Sequence, residues 1–216
     1  MNQKKLNTVL FDLDGTLINT IDLIVASFEH TLDRYFPGAY ARDDIARFIG
    51  PPLSETFTRL NPDYAEEMIG VYRTFNHAHH DELVKGYEGV HETLEYLRRE
   101  AYSLAVVTTK RSDTAMKGLK LMKMEQYFPV VIALDHVSNW KPDPEPLLKA
   151  LGQLERRPEE AIMVGDSEHD ILAGKNTGTR SAGVSWSIKG REHLERFEPD
   201  TMLDQMTDLI SFMEKD

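Results

Sequence analysis

The stretch TVLFDLDGT, residues 8–16, decides the fold because it joins a short apolar run to a turn that carries two acidic residues. The first four residues favour β-structure and are apolar enough for a buried strand of a parallel sheet. Asp12 and Asp14 come directly after that strand, at the edge where open α/β sheets place their ligands. The stretch therefore predicts an α/β protein with a polar site that begins at Asp12.

Four further apolar runs of strand length follow along the chain, and segments of helical period separate them. The runs occupy residues 104–107, 130–133, 161–164 and 182–184. The apolar spacing around residues 206–213 predicts a closing amphipathic helix. Strands that alternate with helices predict a doubly wound parallel sheet of the Rossmann-like type.

Residues 18–84 interrupt this alternation, since they show helical patterns broken by proline and glycine but no comparable strand signal. We therefore expect an all-helical domain at residues 18–84, inserted into an α/β core formed by residues 1–17 and 85–216. The exit from the insertion, residues 85–89, contains two glycines and suits a flexible linker.

The composition narrows the classes of function. The 216 residues include 36 acidic and 25 basic side chains, and the resulting formal charge of −11 argues against nucleic-acid or anionic membrane partners. The absence of cysteine excludes disulfides, thiolate metal sites and a thiol nucleophile. No run approaches the roughly 20 apolar residues of a membrane span, so we expect a cytoplasmic protein.

The two acidic residues after the first strand suit phosphoryl transfer. One carboxylate at this spacing can attack phosphorus while the other handles the proton of the leaving group. Gly15 permits a sharp turn, and Thr16 is expected to cap the following helix. The pair alone is equally typical of an Asx-type turn with a capping threonine, so its function depends on what the other strand ends carry.

Polar residues also follow the other predicted strands. Thr108 and Thr109 follow the second strand, Lys141 stands in a proline-rich loop after the third, and Asp166 follows the fourth. Hydroxyl and backbone N–H groups suit phosphate oxygens, an ammonium offsets phosphate charge, and a carboxylate suits Mg²⁺. Each residue also has an ordinary explanation as a helix cap or a solvated side chain. Their arrival at successive strand ends nevertheless predicts one shared site.

These residues resemble, in order, the four motifs of the haloacid dehalogenase superfamily of phosphatases, and the helical insertion resembles that family's cap domain. The resemblance implies that Asp12 is a nucleophile that forms an aspartyl-phosphate and that Asp14 is a general acid and then a base. It also implies that Thr108, with the backbone near Thr109, holds phosphoryl oxygens and that Lys141 bridges the phosphate and the nucleophile.

The same resemblance implies a Mg²⁺ cofactor. Its ligands would be the Asp12 carboxylate, the Asp14 backbone carbonyl and Asp166. Thr16 and Asp170 would lie just outside this set, and Asp170 follows Asp166 at helical spacing.

At finer grain the chain is similar to the phosphoglycolate-phosphatase-like branch, and within it to inorganic pyrophosphatases of Gram-positive bacteria that accompany HPr kinase/phosphorylase. The similar segments are residues 11–20, 48–51, 75–77, 107–110, 141–146 and 173–176. The resemblance implies hydrolysis of pyrophosphate, and the main alternative is phosphoglycolate or another small phosphomonoester. Lys110 and Arg111 are candidates for the cationic help that a phosphate leaving group needs.

The substrate contacts of the insertion are expected at Gly50 and Pro51, whose turn is equally typical of a plain helix connection. His77, His79 and His80 resemble a metal site by composition, but a solvated helix surface is the favoured interpretation. A phosphomutase is a lesser alternative that no residue in the sequence indicates. A phosphoacceptor receiver domain is a further alternative, but it would place its phosphorylated aspartate after the third strand. The first loop also lacks the ligand pattern of a calcium-binding loop.

Overall fold

The computed structural model describes residues 5–215, so residues 1–4 and 216 of the predicted core lie outside the described part of the chain. The chain divides into two compact units. The first unit comprises the chain up to Ile18 together with the chain from Gly86 onward, and the second comprises Asn19–Lys85.

The strands and helices follow one another along the whole described chain. The strands are β1 (Thr8–Phe11), β2 (Ile18–Asn19), β3 (Lys85–Gly86), β4 (Ser103–Val107), β5 (Val130–Ile132), β6 (Ala161–Gly165), β7 (Arg180–Val184) and β8 (Thr201–Leu203). The helices are α1 (Ile21–Tyr35), α2 (Arg42–Ile45), α3 (Leu53–Leu60), α4 (Ala65–Leu83), α5 (Val90–Arg99), α6 (Ser112–Leu121), α7 (Glu145–Leu154), α8 (Glu168–Thr177), α9 (Arg191–Glu195) and α10 (Asp208–Lys215). Among the described helices, none combines the length and the apolarity that a membrane crossing requires.

The first unit is built on a six-stranded sheet in the order β5-β4-β1-β6-β7-β8, and each of its neighbouring strands runs parallel. The doubly wound parallel sheet predicted from the sequence is therefore confirmed. Strands β1 and β6 are buried along their whole length, which explains why they read as continuous apolar runs. The sequence shows no strand pattern at β8 or at the two-residue strands β2 and β3, because these strands are too short for a periodic pattern.

The position of β1 determines where ligands bind. Phe11, its last residue, pairs with Val106 of β4 on one side and with Val164 of β6 on the other. The chain winds outward from β1 to β5 and then returns to β6, so the winding direction reverses beside β1. Open α/β sheets bind ligands in the crevice at such a reversal, and Asp12 is the first residue beyond it.

The second unit is helical, apart from its terminal residues in β2 and β3, and it has an aromatic core of its own. The Phe28 ring of α1 lies 5.5 Å from the Phe57 ring of α3, 4.9 Å from the Tyr72 ring of α4 and 5.8 Å from the Phe48 ring. Phe28 and Phe57 are almost fully buried. Packing of this kind contributes beyond the buried area of the rings, so this cluster holds the helices together.

Truncation of this aromatic core tests its contribution to stability. We expect Phe28→Ala to lower the free energy of unfolding of the helical unit by about 3–5 kcal/mol, because it removes a buried ring and leaves a cavity. Tyr64→Ala is the matched control, since Tyr64 is 52% exposed and should cost less than about 1 kcal/mol. Urea denaturation followed by circular dichroism measures both losses, and equal losses would contradict the assignment of Phe28 to the core.

Candidate active site

The ammonium of Lys141 lies at the centre of the site and has three hydrogen-bond acceptors. Its Nζ atom donates to Asp12 Oδ1 at 2.8 Å, to Asp170 Oδ1 at 2.6 Å and to the carbonyl oxygen of Val107 at 2.8 Å. An ammonium group has three donors, so these acceptors satisfy it fully. With its side chain only 3% exposed, Lys141 is not the solvated surface lysine that the sequence left open.

Opposite charges keep Lys141 protonated in this buried position. Burial disfavours its charge, but the carboxylates of Asp12 and Asp170 raise the pKa of Lys141 above its ordinary value. Burial also raises the pKa of Asp12 and the charge of Asp170 adds to that effect, while Lys141 acts in the opposite direction. Lys141 is therefore the group that favours an ionised Asp12, the form in which a carboxylate attacks an electrophile or binds a cation.

Asp166, after β6, lies directly against the glycine of the first acidic loop. A Cβ atom at residue 15 would lie 2.2 Å from Asp166 Oδ2, a distance that no side chain tolerates. Gly15 also has a φ of 78°, in the left-handed region that favours glycine. The two acidic loops approach this closely only because residue 15 is glycine.

Asp170, in the first turn of α8, uses its two carboxylate oxygens for two tasks. Oδ2 accepts hydrogen bonds from the Ser167 backbone N–H at 3.0 Å and from Ser167 Oγ at 2.6 Å. Oδ1 accepts the hydrogen bond from Lys141. Asp170 therefore both caps the start of α8 and holds the Lys141 ammonium.

Three carboxylates converge into a group with the chemistry of a magnesium site. Ligand atoms of Asp12, Asp166 and Asp170 all lie within 4.8 Å of one another, and the side chains that the structure describes include no other such group of three potential ligands. Burial, followed by the charges of Asp12 and Asp170, raises the pKa of Asp166 well above its ordinary value. Because Mg²⁺ binds carboxylate oxygens and would offset this repulsion, these residues fit that ion.

The carboxylate of Asp14 is held by Lys110. Lys110 Nζ lies 2.9 Å from Asp14 Oδ1 and 3.0 Å from Oδ2, and both side chains are largely buried. The sequence assigned Lys110 to substrate binding, whereas the structure brings it onto the predicted proton-transfer residue. The metal ligand expected at Asp14 is its backbone carbonyl, which this ion pair does not involve.

The loop after β4 presents Thr108 beside these groups and is fixed by two hydrogen bonds. The Thr108 backbone N–H donates to Ile132, and Thr108 Oγ1 accepts from the Lys110 backbone N–H at 3.1 Å. Thr108 is buried, while Thr109 is half-buried. A loop fixed in this way suits the holding of phosphoryl oxygens, because its donors lose little freedom on binding.

Asp135, the acidic residue after the third core strand, is occupied by a helix start. Its two oxygens accept hydrogen bonds from the backbone N–H and the hydroxyl of Ser112. Although burial acts the other way, these bonds lower the pKa of Asp135 to about 2. Asp135 caps α6, so it does not serve as the phosphoacceptor of a receiver domain.

The prediction that Thr16 caps the following helix is wrong. Helix α1 begins at Ile21 after Thr20, because Asp14 and Ile18 first pair in an isolated bridge that keeps the intervening residues in a turn. The Thr16 side chain is buried, and its hydroxyl has no hydrogen-bond partner among the described residues. Its position two residues after Asp14 remains compatible with a supporting role.

The predicted residues of the insertion all belong to the helical unit. Gly50 has a φ of 119° and is followed by Pro51 in the turn before α3, so the turn does require glycine. His77 is exposed and the His79 ring lies 4.3 Å from the Phe75 ring.

The expectation of a solvated histidine surface is wrong for His80. Its side chain is fully buried and its Nδ1 lies 2.8 Å from Asp81 Oδ1. The face of α4 that carries His80 packs into the helical unit. The histidine-rich composition of this stretch gave no indication of that burial. None of the three histidines belongs to a potential metal group among the described residues.

Two residues that support the site lie outside the predicted motifs. Trp186 Nε1 donates to the carbonyl oxygen of Gly15 at 3.0 Å, and Ser187 Oγ donates to the carbonyl oxygen of Asp166 at 2.5 Å. Both follow β7, a strand end at which the sequence shows no acidic or cationic motif. The proximity of Trp186 to a strand end was the only signal, and it did not distinguish packing from function.

The sheet, its reversal beside β1 and the buried Asp–Lys–Asp arrangement define a hydrolase of the haloacid dehalogenase type. Residues 9–184 match the family model described as haloacid dehalogenase-like hydrolase, and the chain belongs to that family. The family resemblance stated from the sequence motifs is therefore confirmed.

Curated relatives and solved structures extend this comparison. The chain is 56% identical over 208 residues to a protein of Anoxybacillus flavithermus named Pyrophosphatase PpaX, covering 96% of this chain and 97% of the relative. It is 54% identical to a protein of the same name from Bacillus cereus, covering 97% of each chain. The crystal structure of a putative haloacid dehalogenase-like hydrolase from Bacteroides fragilis is similar with a TM-score of 0.88 at 26% identity, covering 95% of this chain and 100% of that one.

The repulsion among the carboxylates of Asp12, Asp166 and Asp170 predicts that residues needed to bind the ion lower the stability of the metal-free protein. We expect Asp166→Asn to raise the free energy of unfolding of the metal-free protein by about 1–2 kcal/mol at pH 8, because it removes a buried like charge. The folded protein holds the proton of Asp166 more tightly than the unfolded chain, so the wild-type penalty grows as pH rises above the ordinary value of 3.8. At pH 4 the gain should therefore nearly vanish.

Asp170→Asn is the matched control for this experiment. It removes a partner of Lys141, so it should lower stability under the same conditions instead of raising it. Denaturant unfolding in the presence of a chelator measures both variants, and a loss of stability in Asp166→Asn at pH 8 would contradict the repulsion.

Proposed function

We propose that this protein hydrolyses inorganic pyrophosphate to two orthophosphates, with Mg²⁺ as cofactor and an aspartyl-phosphate on Asp12 as intermediate. The observation that carries the reaction type is the Lys141 ammonium held between the carboxylates of Asp12 and Asp170. The substrate is supported by the name Pyrophosphatase PpaX, which relatives 54–56% identical over nearly the whole chain carry.

The first step uses Asp12 as the nucleophile. A carboxylate oxygen of Asp12 attacks one phosphorus atom, the bond from that phosphorus to the bridging oxygen breaks, and orthophosphate leaves with the proton that Asp14 donates to it. Thr108 and the backbone near Thr109 hold the oxygens of the transferring group. The positive charge of Lys141 offsets the repulsion between the carboxylate and the phosphate, an effect of the kind that is typically worth a few kcal/mol in a transition state.

The second step returns Asp12 to its starting form. Asp14, placed two residues after the nucleophile, takes a proton from water as the water attacks the phosphorus of the aspartyl-phosphate. The acyl-phosphate bond then breaks and releases the second orthophosphate. Asp14 thus transfers the protons, while Asp12 acts as the nucleophile.

The proposed ion site consists of Asp12, Asp166 and the Asp14 carbonyl, with Asp170 just outside through its bond to Lys141. A bound Mg²⁺ would supply positive charge to the phosphate oxygens. In a chain with a formal charge of −11, such local positive charge is what allows an anionic substrate to approach.

Lys110 is the residue that we assign to the leaving phosphate. It is a largely buried cation within 3 Å of both Asp14 oxygens, so it is already at the side of the site where protons are transferred. Orthophosphate carries negative charge as it leaves, and an adjacent ammonium stabilises that charge. The family resemblance further implies substrate contacts at Gly50 and Pro51 of the helical unit.

The nucleophile and the proton-transfer residue can be tested separately. Asp12→Asn should reduce pyrophosphate turnover to below about one thousandth of wild type, since an amide does not form the acyl-phosphate. Asp14→Asn should reduce it by about 10²–10⁴-fold, the usual range for loss of a general acid or base. Asp113→Asn, an exposed acid of the same unit, is the control and should retain full activity. Substantial activity in Asp12→Asn would overturn the covalent route.

The substrate assignment is tested by a direct comparison of phosphate release from pyrophosphate and from phosphoglycolate. We expect a higher kcat/KM for pyrophosphate, and Lys110→Met should lower that value by about 10²-fold while affecting phosphoglycolate less. Lys120→Met is the matched control, because Lys120 is exposed in α6. If pyrophosphate turned over no faster than phosphoglycolate, the protein would instead be a phosphatase of small phosphomonoesters.

A further inference from the structure

The loop that follows β7, residues 185–190, contacts both acidic loops of the site. Trp186 Nε1 donates to the carbonyl oxygen of Gly15, in the loop that carries Asp12 and Asp14. The next residue, Ser187, donates to the carbonyl oxygen of Asp166 itself. Two adjacent side chains therefore hold the backbones of two loops that come from different strands.

The loop is itself firmly anchored. The Ser185 backbone N–H donates to the carbonyl of Leu203 in β8 at 2.8 Å, and the Ser187 backbone N–H donates to that of Val184 in β7. The Trp186 ring also packs against the Tyr87 ring with centroids 5.6 Å apart. Because this loop is bonded to β7 and β8, Trp186 and Ser187 hold the acidic loops in a fixed position relative to the sheet.

The acidic loops need such support because their charges repel each other. Asp12, Asp166 and Asp170 lie within 4.8 Å of one another in a buried place, and like charges at this separation push their loops apart. Lys141 bridges Asp12 and Asp170. The hydrogen bonds from Trp186 and Ser187 instead restrain the backbones on which the carboxylates of Asp12 and Asp166 are mounted.

Resting on the proposed magnesium-dependent function, we propose that Trp186 and Ser187 are positioning residues that set the spacing between Asp12 and Asp166 and so tune the affinity for the divalent cation. Neither residue touches the ion or the substrate in this role. Trp186 acts through the Gly15 peptide, whose α-carbon lies against the Asp166 carboxylate, and Ser187 acts through the Asp166 peptide. Because Gly15 and Asp166 are in close contact, a shift of either loop also displaces the other.

The test measures cation binding without measuring activity. Mn²⁺, which binds the same carboxylate ligands as Mg²⁺, is titrated into the protein while electron paramagnetic resonance reports the free ion. Trp186→Phe keeps an aromatic ring but loses the donor, and Ser187→Ala loses the hydroxyl. Each should weaken Mn²⁺ binding by about three- to tenfold, the factor that follows from one lost hydrogen bond. Ser211→Ala, at an exposed position of α10, is the control and should bind as wild type.

Three further results distinguish the possible failures. Asp166→Asn should abolish Mn²⁺ binding, which identifies the site that is being titrated. If wild type binds Mn²⁺ and both positioning variants bind it equally well, even with a lower thermal unfolding midpoint, the two residues are merely structural and the inference is overturned. If wild type binds no Mn²⁺ at all, the proposed metal-dependent function falls and the inference falls with it.

Discussion

The three hydrogen bonds of the buried Lys141 ammonium are the interaction on which the rest of the site depends. They join the end of β1, the end of β4, the loop before α7 and the first turn of α8 through a single atom. A buried ammonium is stable only when each of its protons has an acceptor and its charge is offset. The site therefore exists only when the whole parallel sheet has brought these four segments together.

That requirement also explains why the site contains more negative than positive charge. Lys141 offsets two of the three buried carboxylates by direct contact, and Asp166 adds a third. An arrangement that destabilises the empty protein in this way is ready for a cation, since binding then relieves a repulsion that is already present. Stability has been given up locally for function, as is common at active sites.

The supporting contacts follow from the same charge balance. Gly15 allows the Asp12 and Asp166 loops to touch, and Trp186 and Ser187 donate hydrogen bonds to the backbones of these two loops. Lys110 pairs with the carboxylate of Asp14 in the first loop. Lys141 holds both Asp12 and Asp170, and the Gly15 and Asp166 loops are in contact, so a change in one of these side chains also affects its neighbours.

Much of this could be predicted from the sequence. The buried strands of the sheet were visible as apolar runs, because a parallel strand covered on both faces has no polar side to interrupt it. The acidic loops were visible because their residues follow those strands directly, as Asp12 does after Phe11. The short strand β8 and the start of α1 were not visible, since three residues carry no period and the turn at Thr16 is stabilised by a backbone bridge to Ile18.

The sequence by itself thus determined the fold class, the family and the strand ends at which the chemistry lies. Only the tertiary structure decided which groups meet: Lys110 with Asp14, Asp170 with Lys141, and Trp186 with the carbonyl of Gly15. The physical reason is that local patterns report how each segment is buried, whereas these contacts join residues 29 to 171 positions apart. Such pairs are set by strand order and loop approach, and no local pattern encodes them.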